Sequence, residues 1–179
     1  MSALLKTFYA SNPVGEQRLV TLEFAHSAIL TTTSDMVDTN GYLRLAQSHT
    51  DITAGIDFVS PSRTVAFRKA GFGFTFPNKD STGRQELNFQ IDNVSQDAWK
   101  VIKAIKEASR ISAERCIITM RVHMTSDLAI AHEEYVFTAK RYEITRDSCL
   151  VTGAFHELVN RRAPKRLYLP SIYPGLKYI

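Results

Sequence analysis

The sequence Phe72-Gly73-Phe74-Thr75-Phe76 alternates phenylalanines with small or polar residues, and a matching pattern follows it. In residues 86–92, apolar Leu87, Phe89 and Ile91 alternate with polar residues. A period of two is the spacing of side chains on one face of a β-strand. The two stretches, separated by a loop rich in turn-forming residues, therefore predict an antiparallel hairpin with one buried face and one solvated face.

Other stretches continue this pattern along the chain. A helix is predicted at about 95–109, because Ser95 suits an N-cap, Asp97 suits the first turn, and an apolar stripe follows at helical spacing. The predicted fold is mainly β (α+β): an antiparallel β-barrel or sandwich with one packed helix. The further predicted strands are residues 19–24, 28–33, 42–46, 115–124, 134–145 and 149–155.

Length and charge divide the chain into a body and an arm. With 179 residues, the chain suits one domain with a small appendage, and we assign residues 1–160 to a β-rich domain and residues 161–179 to an extended arm. The arm holds five basic residues and no acid, so its own charge is +5. Because the whole chain has a net charge of +4, the body carries −1. Its three prolines favour an extended path.

The arm also carries many apolar side chains, which a loose tail rarely does. Exposing all of these side chains would create an aggregation-prone apolar surface, so we expect the arm to dock on its own subunit or on a neighbour. A nucleic-acid-binding arm and a loose solvated tail remain alternatives. The predicted interface residues are Arg161, Arg162, Lys165, Arg166, Leu167, Tyr168, Tyr173 and Leu176.

The residues give no pattern typical of catalysis or of cofactor binding. The sequence has no glycine-rich phosphate loop, no nucleophile elbow and no H-E-x-x-H pair. We read His132-Glu133-Glu134 as a solvated loop, and Cys116 and Cys149 as buried, reduced thiols. We therefore expect a protein that is not an enzyme, with no catalytic residues, no cofactor and no metal. No apolar run is long enough to span a bilayer, and we expect neither a signal peptide nor membrane binding.

Several motifs, taken in order, resemble one family. They are Phe8-Tyr9-Ala10-Ser11; Phe76-Pro77; Ser81-Thr82-Gly83-Arg84-Gln85-Glu86-Leu87; Ile91-Asp92-Asn93-Val94; the stretch 155–164; and Tyr173-Pro174-Gly175-Leu176. Over nearly the whole chain they resemble a family of tailed-phage proteins of formally unknown function, encoded among the tail-tip genes after the tape-measure protein. In role that family is similar to the minor tail protein L of lambda-like siphophages.

The resemblance implies a fold of tail-tube or hub type and a structural role. It implies a ring or hub subunit, three-fold or six-fold, that joins the tail tube to the central hub or fibre. Its partners are further copies of itself and neighbouring tail proteins, with DNA only in passage through the lumen. The lambda-type protein has an additional cysteine-rich region that binds an iron–sulfur cluster. This chain has only Cys116 and Cys149, so no cluster is implied.

The expected location is the virion tail tip, after synthesis in the host cytoplasm. Two other function classes remain open. One is a transient tail-assembly factor absent from the mature virion, and the other is a small hydrolase or cell-wall enzyme acting at the tip. No nucleophile–base pattern in the sequence favours the hydrolase.

Overall fold

A computed structural model describes most of the body of the chain. The described residues are 10, 15–32, 34, 37–38, 40–57, 63–75, 86–92, 97–112, 114–145 and 147–155. The arm at 161–179, and with it all eight predicted interface residues, lies outside them. The loop between the two strands of the predicted hairpin also lies outside them.

Within the described residues, nine strands form one mixed sheet, which confirms the mainly β prediction. In the sheet their order is β3-β4-β2-β1-β7-β8-β9-β6-β5. Neighbouring described strands are antiparallel except β2 and β4, which run parallel, so the expectation of a purely antiparallel sheet is wrong at that pair. The strands are β1 (Arg18–Ala25), β2 (Tyr42–Ala46), β3 (Ile52–Gly55), β4 (Thr64–Lys69), β5 (Phe72–Thr75), β6 (Glu86–Asp92), β7 (Ile117–Met124), β8 (Glu133–Ile144) and β9 (Ser148–Ala154).

The hairpin predicted from the phenylalanine pattern is confirmed as β5 and β6. Its strands pair antiparallel, with Phe72 opposite Ile91 and Phe74 opposite Phe89. Phe72, Phe89 and Ile91 are buried, whereas the alternate β6 residues are exposed. The alternation in the sequence therefore reflects a hairpin that packs one face against the core and exposes the other face to solvent.

The predicted helix is confirmed as α1 (Asp97–Ile111). Asp97 lies in its first turn, where a carboxylate is favoured by the helix dipole. Its buried side chains, Ala98, Val101, Ile102 and Ile105, form the predicted stripe and join the main core. The helix contacts β8 and β9 and a 3-10 helix at Ser27–Ile29.

The sheet curves around this core, which we call its inner side. Leu22, Phe24, Leu45 and Ile118 share one buried cluster with Phe72, although β2 and β5 are far apart in the strand order. The Gln47 side-chain amide donates to the Phe72 carbonyl at 3.0 Å. The edge strand β5 therefore returns to the vicinity of β2, and the core lies inside the curve.

The strand expected at residues 28–33 is wrong. The chain turns there into the 3-10 helix Ser27–Ile29. The His26 ring accepts a hydrogen bond from the Ala28 N–H at 3.0 Å. The Thr31 and Thr32 hydroxyls donate to the Ala28 carbonyl at 2.9 and 3.0 Å. Side chains therefore make hydrogen bonds to backbone groups that, in a strand, would bond to the backbone of a neighbouring strand.

Candidate functional site

The outer face of the sheet, which is the face bearing Glu23 and Val136, carries a buried charge network. Glu23 on β1 lies opposite Arg44 on β2, and Arg121 is on β7 next to it. A Glu23 carboxylate oxygen accepts from Arg44 Nε at 2.6 Å, and the other lies 3.4 Å from Arg121 Nη2. Arg44 also bonds Asp38, and Arg121 bonds Glu134 at 3.2 Å.

Burial makes this network important to the fold. The side chains of Arg44 and Arg121 are only 6% and 8% exposed, and that of Glu23 is 11% exposed. Removing one partner from such a group leaves a desolvated charge, which is strongly destabilising. The network therefore fixes the register of β2, β1 and β7, because a slip of one residue sends these charges to the apolar side.

Next to the network, His123 and Thr21 form a hydroxyl–imidazole pair. His123 Nδ1 lies 3.2 Å from the Ile130 carbonyl, which only accepts, so this nitrogen carries the proton. Nε2 then accepts from the Thr21 hydroxyl at 3.2 Å. This is the geometry of a nucleophile beside a base, but both side chains are fully buried, and burial lowers the pKa of His123 to about 4. The pair holds strands and loop together and offers no substrate access.

A second imidazole, His26, lies 3.4 Å from the Ser109 hydroxyl on α1. Its Nδ1 accepts from the Ala28 N–H, so in the neutral ring the proton is on Nε2. Nε2 therefore donates to Ser109 and cannot take a proton from it. This pair anchors α1 to the 3-10 helix and is not arranged for nucleophilic catalysis.

The two cysteines are free and buried, as predicted from their number. Burial raises the pKa of the Cys116 thiol to about 12. Burial also raises the pKa of the Cys149 thiol. The thiolate is the reactive form, so neither side chain is poised as a nucleophile or as a metal ligand.

The reading of His132-Glu133-Glu134 as a solvated loop is wrong. Glu133 and Glu134 begin β8, and His132 directly before them is buried at 3% exposure. The His132 N–H donates to the Val122 carbonyl at 2.8 Å, and this hydrogen bond holds His132 against the end of β7. Within the described ranges, no group of three or more His, Cys, Asp and Glu side chains is placed to hold a metal ion.

The outer face is covered at one end and open at the other. The hairpin of β3 and β4 covers the first end, where Phe67 is fully buried and its ring centroid lies 6.4 Å from that of His123. The Gly55 N–H donates to the Leu128 carbonyl at 2.8 Å and fastens the hairpin to the β7–β8 connection. Toward the other end, Ile117 and Val136 are 47% and 50% exposed.

The open end is a small β-branched surface, which we call the β7–β8 patch. Ile117 on β7 lies opposite Thr138 on β8, and Thr119 lies opposite Val136. Residues directly opposite each other in a sheet point to the same face, so these four side chains are contiguous. The patch therefore presents apolar surface to solvent beside the buried charge network.

A comparison with known protein families gives one match. The model of the family described as Domain of unknown function (DUF1833) matches residues 3–168, which is nearly the whole chain. The chain belongs to this family. No curated protein matches the chain significantly. In the part of the family domain that the structure describes, no helix is long and apolar enough to cross a membrane.

The charge network is the feature that sequence reasoning missed. Glu23, Arg44 and Arg121 each interrupt an apolar strand, and a single polar residue at that spacing is ordinary for a solvated face. Glu23 and Arg121 are separated by 98 positions, so only the pairing of β1 with β7 brings them together. The three charged residues are visible in the sequence, but only the pairing register of the strands shows that they contact one another.

Proposed function

We propose that this protein is a structural component of a bacteriophage tail tip or baseplate. In this proposal it is a ring or hub subunit that joins the tail tube to the central hub or fibre and lines the path of DNA ejection. The observation that carries the proposal is the ordered set of motifs, from Phe8-Tyr9-Ala10-Ser11 to Tyr173-Pro174-Gly175-Leu176, that resembles tail-tip proteins over nearly the whole chain.

The geometry of the body supports a scaffolding role. Its buried polar groups are used within the sheet: Glu23 with two arginines, and His123 with Thr21 and Ile130. Such groups hold a defined register and stiffen the sheet. The strands β3 and β5 lie at the two ends of the strand order, and sheet edges are surfaces that a neighbouring subunit can pair with.

The composition of purified particles tests this proposal. Tails are isolated from the producing phage, and their proteins are identified and counted by mass spectrometry against the tube protein. The expected result is a fixed copy number per tail, matching a three-fold or six-fold ring. A transient assembly factor gives the opposite result, in which the protein is abundant in infected cells and absent from particles.

A further inference from the structure

The β3–β4 hairpin has few contacts with the rest of the sheet. Strand β4 runs parallel to β2 over only two residue pairs, whereas β1 pairs with β7 over eight. Of the residues of β4, only Phe67 is buried, in a small cluster with Ala46 and Ala54 that is separate from the main core. An element attached in this way is expected to open at a lower free energy than the core.

Two backbone hydrogen bonds mark the attachments of the hairpin. The Ala70 N–H, at the end of β4, donates to the Ala46 carbonyl of β2 at 2.9 Å. The Gly55 N–H, at the end of β3, donates to the Leu128 carbonyl of the β7–β8 connection at 2.8 Å. Both bonds cross from the hairpin to another element, so both break when the hairpin leaves the outer face.

His123 lies fully buried where the hairpin meets the sheet. Its ring centroid is 6.4 Å from that of Phe67 on β4, and its Nδ1 lies 3.2 Å from the Ile130 carbonyl of the β7–β8 connection. On the side of β1 it faces the Thr21 hydroxyl, which does not titrate. The charged or titratable groups that act on it are Arg121 of β7 and Asp127 and His132 of the β7–β8 connection.

The closed hairpin disfavours a second proton on His123. In the neutral ring, Nε2 accepts a hydrogen bond from the Thr21 hydroxyl, whereas a protonated Nε2 can only donate. The imidazolium would also be a buried charge close to the cation of Arg121, and burial disfavours the charged form of the ring. Lifting the hairpin lets water reach the ring and removes most of this penalty.

We propose that the β3–β4 hairpin is released by acid: it opens from the outer face when His123 takes up a proton, while β7, β8 and β9 stay paired. This inference goes beyond the proposed function, because it concerns the isolated subunit whether or not the subunit enters a tail. The pKa of His123 is about 4 under the closed hairpin and returns to about 6.5 once the ring reaches water. Opening therefore becomes about twentyfold more favourable between pH 7 and pH 5.

Amide hydrogen exchange of the full, unsubstituted chain tests the proposal. Exchange is followed residue by residue by NMR at pH 7 and pH 5, and each rate is corrected for the intrinsic effect of pH on exchange. The protection of the Gly55 and Ala70 amides should fall about twentyfold, and that of the amides in β7 to β9 should change by less than about twofold. An equal fall in all of these strands indicates global unfolding and overturns the proposal, as does unchanged protection at Gly55 and Ala70.

A pair of variants assigns the effect to one imidazole. His123→Gln cannot take up the proton, so the twentyfold change at Gly55 and Ala70 should disappear. His49→Gln replaces an exposed histidine between β2 and β3 and should keep the full change. Persistence of the change in His123→Gln overturns the proposal, and the comparison on the unsubstituted chain is decisive even where this variant does not fold.

Discussion

Glu23 links the two buried arginines of the outer face. It neutralises Arg44 and Arg121, which are both almost fully buried and lie on the strands flanking β1. Arg121 Nη1 is buried and has no hydrogen-bond partner among the residues that the structure describes. Loss of the Glu23 carboxylate would remove a further hydrogen-bond acceptor from the Arg121 guanidinium.

We predict that Glu23→Gln lowers the free energy of unfolding by about 3–5 kcal/mol, because it leaves two buried cations short of a counter-charge. Urea denaturation followed by circular dichroism measures this. Glu134→Gln is the control: its side chain is 34% exposed, and the expected loss is below about 1 kcal/mol. Equal losses from the two variants would show that Glu23 is no more important than a surface acid.

His123 makes stability depend on pH. Its pKa is lowered to about 4 in the fold, chiefly by burial, and Arg121 and His132 act in the same direction. The hydrogen bond to the Ile130 carbonyl and the charge of Asp127 oppose this lowering of the pKa. In the unfolded chain a histidine titrates near its ordinary value of about 6.5. The unfolded state therefore binds a proton first as the pH falls, and stability is lost between about pH 6.5 and pH 4.

We predict a loss of about 3 kcal/mol from His123 across that window, which is the pKa difference expressed as free energy. His123→Gln should lower stability at pH 7 but flatten the pH dependence by that amount. His49→Gln replaces an exposed histidine and should leave the profile unchanged. Denaturant titrations at pH 7 and pH 4.5 measure the difference, and identical slopes for both variants contradict the prediction.

At the scale of elements, the β3–β4 hairpin is held by a close backbone approach. A Cβ added to Gly55 would lie 1.8 Å from the Ala129 carbonyl oxygen. That oxygen belongs to the backbone and cannot move aside as a flexible side chain can. Gly55 therefore allows the Gly55–Leu128 hydrogen bond, which closes the hairpin over Phe67 and His123.

We predict that Gly55→Ala destabilises the protein by about 1–3 kcal/mol, the usual cost of overpacking. Amide hydrogen exchange should accelerate in β3 and β4 more than in β7. Gly73→Ala in β5 is a matched control, since an added Cβ meets no described atom within 4 Å. Alanine there should be neutral or stabilising by up to about 1 kcal/mol. An equal change in stability at both glycines would mean that the backbone at Gly55 accommodates the added Cβ at little energetic cost.

The sequence predicts those elements whose side chains obey a clear period. Phe72 and Phe74 with Leu87, Phe89 and Ile91 define the β5–β6 hairpin, and the apolar stripe defines α1, because each has one face in the core. By contrast, β4 was missed because only Phe67 is buried in Thr64–Lys69. The stretch 28–33 has the β-branched composition of a strand, but the hydroxyls of Thr31 and Thr32 bond the Ala28 carbonyl instead.

At the scale of the molecule, the mainly β class and the packed helix α1 follow from composition and period, but strand order does not. The neighbours of β1 are β2, close in sequence, and β7, about a hundred residues away. No local pattern specifies such a pairing. For the same reason the charge network could not be predicted, although each of its residues is evident in the sequence.

Under the proposed tail-tip function, we predict that deleting residues 161–179 reduces incorporation into tails by at least about tenfold, roughly 1.4 kcal/mol of lost interaction. The melting temperature should fall much less, because the main core lies in the body. Complementation of a phage lacking the gene, with particle counts and thermal melts in parallel, measures both quantities. A loss of melting temperature as severe as the loss of incorporation would show that the arm is part of the fold.

The pairing of β1 with β7 has a consequence for synthesis. Arg18 is opposite Met124, and Glu86 on β6 is opposite Ala154. Each of these strands has one early partner, β2 for β1 and β5 for β6, but its second edge has to wait for a strand that is synthesised much later. At about 5–20 residues per second, these second edges stay unpaired for seconds. Contacts this distant in sequence also fold slowly. The nascent chain is therefore exposed to aggregation until β9 emerges, and chaperone dependence during expression is the expected outcome.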